Sequence, residues 1–537
     1  MDRLLLLGDE AIAQGALDGG MSGIYAYPGT PSTEITEYVQ ASKYAQDQQI
    51  HRQWSANEKT AMEAALGMSY AGKRSMVCMK HVGLNVAADP FVNSAITGVN
   101  GGMLVVSADD PSMHSSQNEQ DSRFYGDFAM IPILEPSNQQ EAYDMAYEGF
   151  ELSEKLKVPV LIRITTRLAH SRSAVVRREQ KEQNAGRIPS NLRQFVLLPV
   201  FARQNYEGLL NNQAAMEQEA AASPYNKYFE GSDRSLGIIA SGIAYNYLME
   251  NFQDRQLPHP VLRLNHYPLP HQLVDRLLKE CEQVVVIEEG YPFIERQLKG
   301  FQEKGTPIRG KLDGSLPRTG ELNPNHVARA FGLDQDEGQP VPSIVSKRPP
   351  AMCKGCGHID AYHALNQALG EYTEGRVFSD IGCYTLGALP PFEAINSCVD
   401  MGASITMAKG AADAGMVPAV AVIGDSTFTH SGMTGLLDCV VEKSPVTIII
   451  SDNFTTAMTG GQDSHALGRL ERICEGLGVE TDHIRVFKPT RKNYDQMVDI
   501  MKEELAYEGV SVVIPRRQCI QTAKNKKLTE RVKELGL

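Results

Sequence analysis

Acidic and amide side chains follow two apolar runs in the region spanning residues 417–461. Asp425 comes almost directly after the run at 419–423, and Asn453 comes shortly after the run at 446–450. A carboxylate and an amide oxygen suit a hard cation such as Mg²⁺, which takes oxygen ligands and keeps several waters or phosphate oxygens. Glycine and hydroxyl residues around Asp425 begin a helical pattern, and the N–H groups at such a helix start favour an anion. The spacing therefore predicts a site for magnesium and a phosphate group, with an ordinary strand–helix crossover and an aspartate turn as the alternative.

Four cysteines are spaced so that they could hold a metal centre: Cys353, Cys356, Cys383 and Cys519. The first two form a CxxC pair, which by itself is compatible with a redox-active, zinc-binding or accidental arrangement. Four thiolates suit a [4Fe–4S] cluster or a tetrahedral zinc ion, and unmetallated structural cysteines are the third interpretation. The remaining cysteines stand in apolar surroundings and are predicted to be core thiols: Cys78, Cys281, Cys398, Cys439 and Cys474.

A further acidic residue, Glu58, stands at the start of a helical pattern that has small residues on one face. A glutamate in this position is most often a partner of the helix dipole. It can instead hydrogen-bond a heterocyclic ligand, and a charge-assisted hydrogen bond contributes about 1.5–3 kcal/mol. Both interpretations fit the local sequence.

Short apolar runs and helical patterns alternate along the chain, which predicts α/β domains with mainly parallel sheets. The pattern covers residues 1–195, 235–333 and 351–522, with linkers at 196–234 and 334–350 and a basic amphipathic helix at 523–537. Ligands bind beyond the carboxyl ends of the strands in such sheets, so we expect Asp425 and Asn453 to stand side by side. In the middle region, Glu288 and Glu289 could be functional, but the sequence favours a solvated strand end.

Composition excludes several classes of function. The 537 residues carry a net charge of −13, which argues against nucleic acid or an anionic membrane surface as a partner. The sequence contains no apolar run near the roughly 18 residues that a membrane span requires. The leucines of residues 4–7 are followed at once by Gly8-Asp9-Glu10, which predicts no signal peptide. Nine unevenly spread cysteines in an unsecreted chain are typical of reduced thiols, so we expect the protein in the cytoplasm.

Several longer motifs resemble a known family. Gly424-Asp425-Ser426 followed by Asn453 resembles the thiamine diphosphate signature. The segments YPGTPS (27–32), NEK (57–59), MKHVGLN (79–85) and DDPSMHSSQNEQD (109–121) resemble the 2-oxoacid:ferredoxin oxidoreductase superfamily, in particular its large (alpha) subunits of the indolepyruvate type. The likeness runs over nearly the whole chain. It implies two parallel-sheet domains of the thiamine diphosphate-binding type, one for the pyrimidine and one for the diphosphate, with a smaller α/β domain between them that resembles the transketolase C-terminal domain.

The resemblance also implies roles for individual residues. Glu58 would be the partner of the pyrimidine ring, Thr30 would face substrate and cofactor, and Arg123 would bind a substrate carboxylate unless it is a surface residue. His81, Lys80 and His114 could line the pocket, although a structural histidine is an equally good interpretation of either histidine. Contacts to the cofactor are expected from Gly29, Gly382, Tyr384, Gly424 and Ser426. The Mg²⁺ ligands would be Asp425, Asn453 and the carbonyl of Thr455, and a [4Fe–4S] cluster would be held by Cys353, Cys356, Cys383 and Cys519.

The function implied by the resemblance is the oxidative decarboxylation of an aryl 2-oxoacid to its acyl-coenzyme A, with reduction of ferredoxin. A small (beta) subunit is the expected partner in a hetero-oligomer. The large subunits of this type usually continue into a ferredoxin-like segment with two cysteine-rich motifs, and this sequence has no such run after Cys519. Electrons are therefore expected to leave through another subunit or directly to ferredoxin. The alternatives are a non-oxidative thiamine-dependent decarboxylase or carboligase and a non-catalytic subunit that retains the fold.

Overall fold

The structure is a computed structural model that describes residues 3–191, 193–252, 257–300, 305–335, 338–346, 351–373 and 376–537. The chain folds as two compact units, Met1–Gln339 and Pro340–Leu537. The division falls inside the segment 334–350 that composition indicates as a linker. The elements below are those of the described residues.

The first unit is built on mainly parallel strands. Its strands are β1 (Arg3–Leu7), β2 (Gly23–Ala26), β3 (His51–Trp54), β4 (Ser75–Lys80), β5 (Met103–Asp109), β6 (Ile133–Leu134), β7 (Val160–Thr165), β8 (Arg172–Val176), β9 (Lys227–Phe229), β10 (Gly237–Ala240), β11 (Val261–Arg263), β12 (His266–Tyr267), β13 (Val284–Ile287) and β14 (Ile308–Arg309). Its helices are α1 (Gly8–Asp18), α2 (Thr33–Ala41), α3 (Lys43–Asp47), α4 (Glu58–Tyr70), α5 (His81–Val86), α6 (Ala88–Thr97), α7 (Arg123–Ala129), α8 (Gln139–Leu156), α9 (Thr166–His170), α10 (Pro199–Ala222), α11 (Ala244–Glu250), α12 (His271–Glu280), α13 (Phe293–Lys299) and α14 (Pro324–Ala330).

The strands of this unit form two larger sheets and a small one. The main sheet has the order β12-β6-β7-β5-β4-β2-β3, a second sheet has the order β14-β13-β10-β11-β9, and β1 pairs with β8. Strands β4, β5 and β7 are buried along their whole length, as the apolar runs predict for parallel strands covered on both faces. The carboxyl ends of β2, β4 and β5 lie at one edge of the main sheet, where ligands bind in such sheets.

The region predicted as a middle domain is joined to the first one. Strand β12 pairs antiparallel with β6 at the end of the main sheet. Helix α10 occupies most of the segment 196–234, and the short strand β9 at the end of that segment belongs to the second sheet. Residues 1–339 therefore form one compact unit, and the predicted linker 196–234 lies within it.

The second unit contains one parallel sheet. Its strands are β15 (Val377–Ser379), β16 (Ser397–Cys398), β17 (Ala419–Gly424), β18 (Val446–Ser451), β19 (Thr455–Thr456), β20 (Gln462–Asp463), β21 (Ile484–Phe487) and β22 (Ser511–Pro515). Its helices are α15 (Gly357–Ala368), α16 (Ala403–Asp413), α17 (Asp425–Thr427), α18 (Met433–Glu442), α19 (Leu470–Gly476), α20 (Tyr494–Leu505) and α21 (Lys526–Glu534). The sheet order is β16-β15-β17-β18-β22-β21, and β19 pairs with β20.

The two faces of this sheet bury different side chains. Ala419, Ala421 and Ile423 of β17 pack into one core, and Val420 and Val422 pack into the other, because successive side chains of a strand point to opposite faces. The basic tail forms helix α21, whose Leu528 and Val532 pack on Phe454 and Leu467. The predicted amphipathic helix is thus docked beside the loop that follows β18.

None of the helices in the part of the chain that the structure describes combines the length and the apolar character that a membrane span needs.

Candidate active site

Two aspartates stand side by side where β17 and β18 end. Gly424 is the register partner of Ser451 in the parallel pair, so Asp425 and Asp452 follow at neighbouring strand ends and Asn453 comes one residue later. Both aspartates are 2% exposed. The apolar runs that predicted these strands therefore place Asp425 and Asn453 at one edge of the sheet, as expected.

The charges of these aspartates are incompletely balanced. Burial raises the pKa of Asp425 well above its usual range, and the neighbouring Asp452 raises it further. Asp452 forms an ion pair of 2.7 Å with Arg516, yet burial still raises its pKa. Oδ2 of Asp425 and Oδ1 of Asp452 are buried without a hydrogen-bond partner among the described residues. A buried unpaired carboxylate oxygen is costly unless a proton or a cation meets it.

The oxygen atoms around these carboxylates fit a magnesium ion. Asn453 Oδ1 accepts a hydrogen bond from the N–H of Thr455 at 3.1 Å, which brings the predicted third ligand next to the second. Each of these groups offers only oxygen, the ligand atom that Mg²⁺ prefers. Asp452 was not singled out from the sequence, although the run Ser451-Asp452-Asn453 shows an acid at that position. Its closeness to Asp425 follows from strand register, which the sequence does not display.

A tyrosine packs over the glycines of this edge. A Cβ atom added to Gly424 would lie 2.6 Å from the ring of Tyr384, and one added to Gly382 would also collide with that ring. The Tyr384 hydroxyl lies 3.2 Å from Oγ1 of Thr427 in the first turn of the helix that begins at Asp425. The side chain of Ser426 accepts a hydrogen bond from Thr456 Oγ1 at 2.9 Å. The predicted cofactor residues Gly382, Tyr384, Gly424 and Ser426 are thus gathered at one helix start, whose N–H groups suit a diphosphate.

The four cysteines of the predicted cluster line one cavity of about 420 Å³ in the second unit. Asp452 and Asn453 line the same cavity, and the N–H of Cys519 donates to the carbonyl of Asn453 at 3.1 Å. The predicted iron–sulfur site therefore adjoins the predicted magnesium site.

The distances between the four sulfur atoms test whether a zinc ion fits this cavity. Burial, and then the proximity of Cys519, Cys356 and Cys353, raises the pKa of Cys383 to about 11, as expected for thiols that crowd together without a cation. Among the described residues, however, no three of these sulfur atoms lie within 4.8 Å of one another. A tetrahedral zinc ion with Zn–S bonds of about 2.3 Å requires sulfur atoms roughly 3.8 Å apart. The four thiols therefore line one cavity without the sulfur spacing that a bound zinc ion requires.

Glu58 is the first residue of α4 at the edge of the first unit. Asn57 caps the helix by accepting from the N–H of Thr60 at 2.8 Å, which fixes where the helix begins. The Glu58 side chain is 5% exposed. A Cβ atom on Gly83 would lie 2.6 Å from Glu58 Oε1, so only a glycine at position 83 admits the carboxylate in this place. Glu58 is therefore a buried carboxylate in the first turn of α4, a position that fits both the helix-dipole and the pyrimidine interpretation.

The other predicted residues of this edge follow β2 and β4. A Cβ atom on Gly29 would contact the Lys80 side chain at 3.2 Å, and the Ser115 hydroxyl lies 3.4 Å from the carbonyl of Thr30. Burial lowers the pKa of Lys80 to about 8, and its ammonium group donates to the Ser115 carbonyl at 2.7 Å. Thr30 and Lys80 are therefore tied to one loop, the one that follows β5.

His81 is almost completely buried beside that loop. Its side chain is 1% exposed and its Nε2 atom lies 3.2 Å from the carbonyl of Asn118. Its Nδ1 atom has no hydrogen-bond partner among the described residues. His114 instead lies at the surface, 3.5 Å from Glu321.

The position of Arg123 rules out one of the two interpretations drawn from the sequence. Its side chain is 0% exposed, so it is not a surface residue. Its guanidinium group hydrogen-bonds Asp121 and the carbonyls of Glu289 and Tyr291, and lies 3.0 Å from Glu288. These acceptors meet most of its donors, while Nη1 has no hydrogen-bond partner among the described residues, so the contact of Arg123 with a substrate carboxylate stays a prediction.

Two further expectations are wrong. Glu288 and Glu289 are 1% exposed because Glu288 meets Arg123 and accepts from the N–H groups at the start of α13, so they are not a solvated strand end. Cys398 is exposed because the short strand β16 lies at the end of its sheet. The other four predicted core thiols are buried.

Two family models match the chain. The model described as "Pyruvate flavodoxin/ferredoxin oxidoreductase, thiamine diP-bdg" matches residues 14–219, and the one described as "Thiamine pyrophosphate enzyme, C-terminal TPP binding domain" matches residues 380–514. The first range contains Glu58, and the second contains Asp425 and Asn453. The fold and the two sheet edges are therefore those of a thiamine diphosphate-binding oxidoreductase.

Relatives define the family more narrowly. The protein is similar to "Indolepyruvate oxidoreductase subunit IorA" of Archaeoglobus fulgidus, with 38% identity over 96% of this chain and 86% of the relative. The subunits of the same name from Methanothermobacter marburgensis and Pyrococcus abyssi are 40% and 38% identical, over 97% and 96% of this chain and 87% and 86% of theirs. The chain belongs to the family of indolepyruvate oxidoreductase subunits IorA. The resemblance drawn from the motifs and the predicted α/β class are confirmed.

Proposed function

We propose that this chain is the thiamine diphosphate-binding subunit of an enzyme that oxidises an aryl 2-oxoacid to its acyl-coenzyme A and reduces ferredoxin. The observation that carries the proposal is the buried pair Asp425 and Asp452, whose unpaired oxygens stand at the ends of neighbouring parallel strands. The four-cysteine cavity beside Asn453 supports electron transfer rather than simple decarboxylation.

The residues of the second unit would hold the charged end of the coenzyme. Asp425, Asn453 and the Thr455 carbonyl would bind Mg²⁺, and the helix start at Asp425 would meet the diphosphate through its N–H groups. Tyr384 and Thr427 fix the position of that helix start. When bound, thiamine diphosphate supplies an electron sink for the decarboxylation of the 2-oxoacid, while the protein supplies placement.

Glu58 would act on the pyrimidine end. Its carboxylate would hydrogen-bond a ring nitrogen. This bond would stabilise the pyrimidine tautomer in which the coenzyme is reactive. Gly83 leaves the room that this carboxylate occupies. Thr30 and Lys80, which share the loop after β5, would border the substrate.

The overall reaction balances with two one-electron acceptors. A 2-oxoacid, coenzyme A and two oxidised ferredoxins give acyl-coenzyme A, CO₂, a proton and two reduced ferredoxins. Cys353, Cys356, Cys383 and Cys519 would hold a [4Fe–4S] cluster that passes the electrons one at a time. The names of the relatives support an aryl substrate and a second, smaller subunit.

An anaerobic assay tests the proposal. The purified chain, combined with its small subunit, is given a panel of aryl and short aliphatic 2-oxoacids, coenzyme A and a low-potential dye. We expect dye reduction and acyl-coenzyme A formation that depend on thiamine diphosphate and Mg²⁺ and are fastest with an arylpyruvate. Aldehyde formation without dye reduction would instead assign a non-oxidative decarboxylase, and no turnover of any 2-oxoacid would assign a non-catalytic subunit.

Analysis of iron and acid-labile sulfide tests the metal centre separately. We expect about four iron and four sulfide per chain after anaerobic isolation, and loss of both in Cys383→Ser. The exposed Cys398 offers a matched control, because Cys398→Ser leaves the four cavity cysteines in place. Zinc without sulfide would contradict the cluster.

A further inference from the structure

A second group of possible metal ligands lies in the first unit, apart from the residues discussed so far. Asp9, Glu34 and His170 each direct one ligand atom into a common space, and these atoms lie within 4.8 Å of one another. They come from three different elements, since Asp9 is in the first turn of α1, Glu34 is in the first turn of α2, and His170 ends α9. No other group of three such side chains among the described residues meets this spacing.

The packing brings these elements closer than ordinary side chains would allow. A Cβ atom on Gly8 would collide with the backbone carbonyl of Leu168, so the glycine lets the start of α1 approach α9. His170 Nε2 then lies 3.6 Å from Glu34 Oε1. The three groups are therefore held by backbone packing and not by flexible surface loops.

Asp9 is the unusual member of the group. It is 0% exposed, and both of its carboxylate oxygens lack a hydrogen-bond partner among the described residues. Burial, and then Glu34 and Glu10, raises its pKa well above the usual range. Oε2 of Glu34 is also buried without a partner in the described part of the chain. Orphaned carboxylate oxygens from two helices thus face one small space.

Two basic side chains lie near this group. Arg172 is 3.5 Å from Glu10, and His170 is 3.6 Å from Glu34. His170 is attracted to Glu34 and also to Asp110, and its hydrogen bond to Glu34 raises its pKa. The imidazole of His170 is the nitrogen ligand that this group offers, and its Nε2 atom faces Glu34.

We propose that Asp9, Glu34 and His170 bind a divalent transition-metal ion, with Mn²⁺, Fe²⁺ or Zn²⁺ as the fitting chemistry. Two carboxylates and one imidazole suit these ions better than Mg²⁺ or Ca²⁺, which favour oxygen ligands alone. The side chains of His170 and Glu34 are 35% and 36% exposed, which provides a route for the ion from solvent. Water would complete the coordination on that side.

The ion would fix the start of α2, the helix that follows the loop carrying Thr30. Glu34 follows Thr30 by four positions, and Ser32 and Thr33 tie this turn together by bonds to the carbonyl and the N–H of Gly29. A cation that joins Glu34 to α1 and α9 would therefore hold the loop that carries Thr30. Its role is to position this loop and stabilise the unit, and the ion itself does not touch the coenzyme.

Manganese titration of the full chain tests the site. Free Mn²⁺ is counted by electron paramagnetic resonance in the presence of excess Mg²⁺ and thiamine diphosphate, which occupy the magnesium site, and Mn²⁺ binds weakly to thiolates. We expect the wild-type protein to bind one more equivalent of Mn²⁺ than Asp9→Asn. His170→Ala, a change at a partly exposed position, should weaken the same equivalent by at least about tenfold.

Glu10→Gln is the matched control, because it removes the neighbouring negative charge of α1 while keeping an acceptor for the N–H of Leu7. It should bind Mn²⁺ as the wild type does. Equal Mn²⁺ stoichiometry and affinity in wild type, Asp9→Asn and His170→Ala would overturn the proposal and show that a bound proton neutralises Asp9. The proposed coenzyme chemistry can fail without changing this result, since the count does not depend on turnover.

Discussion

The acid cluster around Arg123 in the first unit and the pair Asp425 and Asp452 in the second unit are both buried, yet every acid of the first contacts a guanidinium group, whereas among the described residues only Asp452 of the second does. The members of the first cluster are Asp109, Asp121, Glu135 and Glu288, which meet the guanidinium groups of Arg123 and Arg163. In the second unit Arg516 neutralises Asp452 in part, and Asp425 forms no ion pair with the described residues. A buried acid that pairs with an arginine has its charge compensated within the fold. A buried acid without such a partner is a candidate for binding a cation from outside the chain.

This contrast explains why Arg123 and Asp425 were both expected at a functional site from the sequence but have different surroundings. Arg123 stabilises the fold by meeting acids from several elements. Asp425 destabilises the ligand-free fold, because no ion pair with the described residues compensates the loss of its hydration. The following changes test this difference, from the largest expected effect to the smallest.

Glu58→Gln is expected to lower turnover by about 10²–10⁴-fold, the usual range for loss of a positioned acid–base group. Glu58 is a buried carboxylate outside both clusters, so the change tests whether such an acid is catalytic. Affinity for thiamine diphosphate should change little, because Mg²⁺ and the diphosphate are held by the second unit. The control is Glu63→Gln on the same helix, where the side chain is 46% exposed. Full turnover in Glu58→Gln would remove Glu58 from the mechanism.

Arg123→Met is expected to destabilise the first unit by about 3–5 kcal/mol, because it leaves Asp121 and Glu288 buried without their cation. The only tryptophan of the chain, Trp54, lies in this unit, so its fluorescence during urea unfolding reports the loss. Arg203→Met on the exposed face of α10 should change the curve far less. A stable Arg123→Met protein that has lost affinity for the 2-oxoacid would instead support the substrate-binding role that the resemblance implies.

His266 is a buried base, and its burial makes the stability of the first unit depend on pH. Burial lowers its pKa to about 4 from an ordinary value of 6.5, so between these values the unfolded chain binds a proton that the folded chain does not. The stability contributed by neutral His266 is therefore present above pH 6.5 and is lost as pH falls toward 4, by about 1–3 kcal/mol. Trp54 fluorescence in urea series across this range should show a smaller pH slope for His266→Gln. His271→Gln, at a side chain that is 76% exposed, should keep the wild-type slope.

Asp425→Asn is expected to leave the ligand-free second unit as stable as the wild type or up to about 2 kcal/mol more stable, because a buried unpaired carboxylate is removed. Calorimetric unfolding without Mg²⁺ and coenzyme measures this. The opposite sign from Arg123→Met is the expected outcome. A destabilisation as large as that of Arg123→Met would show that Asp425 has a compensating partner in the folded chain.

The sequence was sufficient to predict the strands and to bring several candidate ligands to one sheet edge. Uninterrupted apolar runs of five or six residues can only be buried strands when helices flank them, and β17 and β18 lie where those runs predict. Asp425, Asn453 and the CxxC pair follow directly from residue type and spacing. Such local patterns survive folding because they depend on neighbours in the chain.

The surroundings of charged residues could not be read in the same way. Asp121 lies two positions from Arg123, but its other partners, such as Glu135 and Tyr291, come from residues 12 to 168 positions away in the chain, and nothing near Glu288 reveals that it meets an arginine. For the same reason, the local sequence did not reveal that Asp452 lies beside Asp425 or that Asp9 lies close to His170. Burial of a charge depends on which strands become neighbours, which is a property of the sheet order and not of the local sequence.

The most direct test of the account is calorimetric titration of the wild-type chain with thiamine diphosphate, with Mg²⁺ present and with Mg²⁺ removed by a chelator, alongside Asp425→Asn. The account predicts binding of one coenzyme per chain that requires Mg²⁺ and is weakened by at least about 100-fold in Asp425→Asn. The exposed Asp438→Asn on α18 should bind as the wild type does. Binding that is unchanged without Mg²⁺ or in Asp425→Asn would contradict the claim that this carboxylate holds the metal and, through it, the coenzyme.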